Sequence, residues 1–260
     1  MSGFTFGAYG RILDELLAMG YTTSCVREHM RRAQGHLTEP WVLLRHDVEW
    51  GVERALEFAR MEQDRGIAAT YYFHGPHRGR VFQPDVMKSI EAMGHEVGYH
   101  YETLDLTGGD FERAEKLFGE QLTEFRRTGI QIDTVCMHGN PRVRKRGYSR
   151  NSDLFKDRLT ELKARYDLLG EAYYLADTEG LEYISDVGIR FGQGWGESSA
   201  GFIEAVRDKR PSRVCLLTHP DYWSRYRLRS VGLYWTGRLI RTTGINRLVS
   251  HLRSVSGRFN

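Results

Sequence analysis

The stretch Trp41-Val42-Leu43-Leu44-Arg45-His46-Asp47-Val48-Glu49 decides the fold. Its four apolar residues, 41–44, read as a short strand running into a polar turn, after which 52–63 takes up a helical period that closes near Gly66. Strand, polar turn, helix is the unit, and it recurs downstream. Residues 68–73 form an aromatic-rich strand ending at His74-Gly75-Pro76, followed by a helix over 84–93 closed by Gly94. Residues 95–99 run into His100; a long helical stretch, 110–127, leads to a strand over 132–137 that ends at His138-Gly139-Asn140-Pro141. Further on, 173–175 and 182–185 read as short strands ending near Asp177 and Asp186, 202–208 as a helix, and 213–218 as a last strand ending at His219-Pro220. Upstream, 4–19 carries apolar residues at helical spacing with Gly20 as its stop. The alternation predicts an α/β fold, a distorted or incomplete (β/α) barrel of about seven parallel strands.

A chain of 260 residues lies at the upper edge of what one core serves. One domain over 1–260 is expected, with 1–40 as an N-terminal helical extension and 224–260 as a basic C-terminal segment. With 40% hydrophobic and 27% charged residues, disordered, collagen-like and coiled-coil classes are excluded. There is no internal repeat. No run of about 20 apolar residues is present, and 1–20 lacks a basic-then-apolar leader, so a cytoplasmic location is expected. Cys25, Cys136 and Cys215 have none of the paired spacings of a zinc ribbon or disulfide framework and read as core thiols.

The net charge of +3 is too slight to imply a nucleic-acid partner. Its distribution is uneven. From Asp221 onward Asp221 is the only acid, against Arg225, Arg227, Arg229, Arg238, Arg241, Arg247, Arg253 and Arg258 interleaved with Tyr222, Trp223, Tyr234 and Trp235. Such a segment suits phosphate or the inner face of an anionic membrane, as a peripheral contact; a solvated basic helix packed on the barrel is the plainer alternative.

His46, His74, His100, His138 and His219 each follow a predicted strand. In a parallel α/β architecture the C-terminal strand ends open on one face, so such residues converge. Imidazole and carboxylate suit zinc and related divalent ions, a catalytic site typically using three protein ligands and keeping a position for water. Asp47 and Glu49, two apart, project to one side of an extended backbone, so one can hold a metal while the other abstracts a proton; the alternative is that they pair with Arg45 or Arg54. His219, at a strand end with a proline after it, is placed to protonate a leaving amine.

These residues resemble a known family. Residues 44–49, Ala69-Thr70-Tyr71-Tyr72-Phe73, Gly94-His95-Glu96-Val97-Gly98-Tyr99-His100 and Leu217-Thr218-His219-Pro220 together look like the motifs of a polysaccharide deacetylase of the NodB-homology type, carbohydrate esterase family 4, as a divergent member. The resemblance covers roughly 41–223. It implies a distorted barrel of βα units and a metal-dependent hydrolase that removes an acyl group from the nitrogen of a sugar. By resemblance Asp47 is the catalytic base, His219 the catalytic acid, and Glu49 and His100 are ligands of one divalent metal ion, expected to be zinc.

The family usually has two histidines four residues apart in its second motif, whereas Leu104 stands at that distance from His100. The third ligand is left to His138, the preferred choice, or to Glu102 or Asp105. His46, His74 and Asn140 become candidates for supporting the ligands from behind or for touching the substrate, and Trp195 and Trp223 candidate faces for a sugar ring. Gly192-Gln193-Gly194-Trp195-Gly196 opens no helix after a strand and reads as a flexible loop. The expected substrate is an N-acetyl or N-formyl sugar of a surface polysaccharide or of its nucleotide- or lipid-linked precursor. The competing expectation, prompted by Leu104, is a catalytically inactive glycan-binding or assembly protein.

Overall fold

The computed structural model describes residues 4–32, 40–140, 143–178, 181–186 and 199–226. The strands are β1 (Thr22–Ser24), β2 (Trp41–Val48), β3 (Thr70–His74), β4 (Glu96–Tyr101), β5 (Thr134–Met137), β6 (Gly170–Glu171), β7 (Glu182–Ser185) and β8 (Arg213–Thr218). They form one sheet in the order β6-β5-β4-β3-β2-β8-β7, and every pairing is parallel. This is the incomplete (β/α) barrel expected from the alternation. β2 pairs with β8 along one edge over Trp41–His46; along its other edge β1 pairs with its first half and β3 with its second.

The helices are α1 (Phe6–Ala18), α2 (Val26–Arg31), α3 (Val52–Gln63), α4 (Pro84–Ala92), α5 (Thr103–Thr107), α6 (Phe111–Arg127), α7 (Leu159–Tyr166), α8 (Ala172–Thr178) and α9 (Ser199–Lys209). Local chemistry sets several starts. Thr5 and Asp110 accept from the free N–H groups of Ala8 and Arg113 at the heads of α1 and α6, and Pro84 opens α4, where a missing N–H costs nothing. The expected strand at 173–175 is a helix instead. Glu171, at the end of β6, accepts from the backbone N–H of Tyr173 and Tyr174, which caps α8 and turns the chain out of the sheet.

Alternation along the strands divides the interior in two. Leu44, Val48, Tyr71, Phe73, Val97, Tyr99, Val135, Val214 and Leu216 face the helices and join Ile12 and Leu13 of α1, Phe58 of α3 and Phe118 of α6 in the large core. The opposite parity, Tyr72 and Cys136 with Val26 and Ala172, makes a smaller cluster within the curl of the sheet. Gly98 shares that face because a Cβ there would run into the Tyr72 ring. α1 packs into the same large core as the barrel helices. The three cysteines are buried and unbridged, as expected of core thiols.

Candidate metal and acid–base site

The strand expected over 41–44 continues to Val48, and that extension builds the site. Arg45, His46 and Asp47 stay in the ladder because each finds a partner on its own face. Arg45 and Asp47, two apart, point the same way, and the guanidinium grips the carboxylate twice, at 2.9 and 2.7 Å. Burial opposes the charge on Asp47, but Arg45 and then His100 outweigh it and bring its carboxyl down to about 2. The pairing foreseen as an alternative to function therefore coexists with an ionised carboxylate at the site.

Around Glu49, just beyond β2, three imidazoles gather from the ends of β3, β4 and the segment after β5. Glu49, His74, His100 and His138 each bring a donor atom within 4.8 Å of the others. His74 Nε2 lies 3.1 Å and His138 Nε2 3.2 Å from the Glu49 carboxylate, and His100 Nε2 lies 3.9 Å from Glu49 and 3.6 Å from Asp47. The rings are oriented from behind. His100 Nδ1–H donates to the Cys136 carbonyl at 3.1 Å and His138 Nδ1–H to Glu102 at 2.9 Å, which leaves each Nε2 aimed inward. Glu102 is itself clamped by Arg78 at 2.7 and 2.8 Å and by His77 at 2.8 Å.

The donor set fits a divalent cation. Burial pushes His74 down to about 4 and His100 down to about 3, so both present neutral lone pairs, while His74 Nδ1 is buried with no hydrogen-bond partner. Burial also opposes charge on Glu49, but His138 and His74 hold its carboxyl well below the usual range. His138 is the exception: burial works against its charge, yet Glu49 and Glu102 on either side lift it to about 10. Two carboxylates there call for a cation, and a proton on His138 answers in part.

On the β7–β8 side, His219 donates from Nδ1 to Asp186 at 2.7 Å, and the same carboxylate accepts from the His219 backbone N–H at 2.8 Å and the Trp223 indole at 2.9 Å. That bond fixes the orientation of the His219 ring. Asp221 pins the turn after β2 by accepting from the N–H groups of Glu49, Trp50 and Gly51, and burial raises its carboxyl to about 6.

Of the residues singled out in the sequence, Asp47, Glu49, His100, His138 and His219 are brought to one mouth, and His74 joins them among the donors rather than at a substrate surface. Three expectations need correction. His46 is fully buried on the other face of β2, bonded to Glu62 and Thr218, so it cannot touch a substrate. Trp223 is likewise sealed, packed on Phe4, Tyr9 and Phe58. Asp105 turns away to Lys145 and Tyr148, and Leu104 lies in the core. Glu102 meets His138, Arg78 and His77, and with His74 and His77 it makes a second group that could hold a metal ion, so its place among the ligand candidates stands. Asn140 is half-buried just beyond His138; Trp195, 187–198 with its glycines, and the basic segment from 227 lie outside the described residues. Sequence reasoning missed Asp186, Arg78 and His77. Asp186 alone had a signal, an acid closing a strand.

No family model matches the chain, and no curated protein matches it. Among solved structures it is similar to a family 4 carbohydrate esterase from Streptomyces lividans in complex with acetate, at 14% identity over 75% of this chain and 84% of that one, TM-score 0.44. It is also similar to the peptidoglycan deacetylase PdaC from Bacillus subtilis, at 12% identity over 85% and 96%, TM-score 0.44. A third is a carbohydrate esterase family 4 pseudoenzyme from Bacillus anthracis, at 15% identity over 78% of this chain and 63% of that one, TM-score 0.41. The chemistry is read from this chain's own residues. No helix among the described residues is long and apolar enough to cross a membrane.

Proposed function

We propose that the protein is a metal-dependent hydrolase that removes an N-acetyl or N-formyl group from an amino sugar, within a surface polysaccharide or its nucleotide- or lipid-linked precursor. The observation that carries this reading is the meeting, at one mouth, of a carboxylate–imidazole donor set with two acid–base groups held by separate partners. A divalent cation held by Glu49, His100 and His138, with His74 beside them, would supply Lewis acidity to the amide carbonyl and to the attacking water; zinc suits these donors. Asp47, ionised and fixed by Arg45, takes the proton of that water. His219, its Nδ1–H committed to Asp186, delivers a proton from Nε2 to the departing amine. Asp186 stabilises the imidazolium that this step needs. The products are acetate or formate and the free amino sugar.

The test is release of acetate from chitotetraose, and of formate from an N-formyl sugar, by the metal-loaded protein. Wild type is expected to turn over, and Asp47→Asn to lose about a thousandfold in rate while keeping its metal. A chain that holds metal and binds sugar but releases no acid is a glycan-binding protein instead. Full activity in a metal-stripped protein would refute the mechanism.

A further inference from the structure

Of the three tryptophans among the described residues, Trp41 and Trp223 are buried and Trp50 is 43% exposed. Trp50 follows the candidate ligand Glu49 directly, at the rim of the mouth. An exposed aromatic is unremarkable by itself, but this one is held. Its backbone N–H donates to the buried Asp221 carboxylate at 2.8 Å. Its ring stands edge to face against Tyr222, centroids 5.4 Å apart at 76°, and Tyr222 in turn lies 5.6 Å from the His219 ring. Tyr222 and Asp221 are both buried, so an exposed indole is supported from below by fixed groups. Ordering a side chain with only two rotatable bonds costs little on binding, and here that cost is largely met before any ligand arrives.

The position fits one ligand chemistry. Trp50 and His219, the group assigned to the leaving amine, pack on the same Tyr222 ring, which puts the indole on the side of the site where the amine-bearing ring would lie. A pyranose ring presents a flat face of C–H groups rimmed by hydroxyls, which an indole can cover while the hydroxyls stay wet. We propose that Trp50 is the platform for the pyranose ring whose N-acyl group is cleaved, and that it selects N-acylated hexosamines over acyl amides lacking a ring. The proposal rests on the deacetylase reading for its orientation, although the stacking itself requires no hydrolysis. It supplies the ring face that Trp223, buried, cannot.

The experiment compares wild type, Trp50→Ala and Trp50→Phe, all metal-loaded, in acetate release from chitotetraose and in calorimetric binding of the same oligomer. Trp50→Ala is expected to raise KM and weaken binding about tenfold with kcat within about twofold, and Trp50→Phe to restore most of the loss. Metal content and unfolding temperature should match wild type in both variants. Equal KM and equal affinity in wild type and Trp50→Ala overturn the platform while leaving the deacetylase reading intact. Binding that depends on Trp50 without acetate release upholds the stacking of a pyranose ring on Trp50 but overturns the deacetylase reading and, with it, the assignment of that ring as the one cleaved. Failure of wild type to bind chitotetraose at all overturns the platform too.

Discussion

Two histidine clusters sit on opposite faces of the same sheet, and they do different things. At the mouth, His74, His100 and His138 surround Glu49, with His219 on its Asp186 nearby. Behind β2, His46 and His95 surround Glu62, which also accepts from the hydroxyls of Tyr9 and Tyr71, all of it sealed between the sheet and α1 and α3. Both clusters have a carboxylate and more than one imidazole. What separates them is parity: Asp47 and His46 are neighbours in sequence, yet a strand sends them to opposite faces. The mouth cluster has imidazole nitrogens converging on a carboxylate, with Glu49 and His138 each slightly exposed. In the sealed cluster, tyrosine hydroxyls and His46 already occupy the Glu62 oxygens, which leaves no place for a ligand.

That contrast can be broken most forcefully at Glu62. Glu62→Leu removes the acceptor of two buried hydroxyls and an imidazole, and the expected loss is about 3–5 kcal/mol in denaturant unfolding. Metal content and acetate release per folded molecule should stay near wild type. If stability held and metal were lost, the sealed cluster would be part of the site. A smaller effect is expected at the mouth itself: Asp186→Asn should lower kcat about a hundredfold, because His219 loses the charge that favours its imidazolium, with metal content little changed and some stability lost because an amide cannot accept all three hydrogen bonds. Smaller again is Arg45→Met. Without the guanidinium that favours its charged form, Asp47 ionises at higher pH, so the acid limb of the kcat/KM profile should move upward, by about one pH unit. A profile unmoved by that change would mean that Asp47 does not set the limb.

Most of the architecture was legible in the sequence because it is written in periods. Apolar runs entering polar residues, then helical spacing, recur often enough to give the parallel order and the open barrel, and four of the five strand-end histidines, His74, His100, His138 and His219, lie at the mouth. Three things were not legible. Strand length was one: 41–44 looked finished at Arg45, since nothing in the sequence says that Arg45 and Asp47 satisfy each other within the ladder. Parity was another, since a strand read as ending at 44 gives no face to His46. The third was capping at a distance: Glu171 turns 172–178 into a helix by accepting two backbone N–H groups, a bond that short apolar runs conceal. Partners drawn from other strands and loops, such as Asp186 for His219 or Arg78 for Glu102, depend on the sheet order and become visible only once the strands are laid side by side.

The division between the two faces is tested most directly by elemental analysis of three purified, folded proteins: wild type, His100→Ala and His46→Ala. One divalent ion per chain is expected in wild type and in His46→Ala, with His100→Ala retaining markedly less after dialysis. Equal retention by His100→Ala, or loss confined to a folded His46→Ala, would contradict the assignment of the mouth as the metal site.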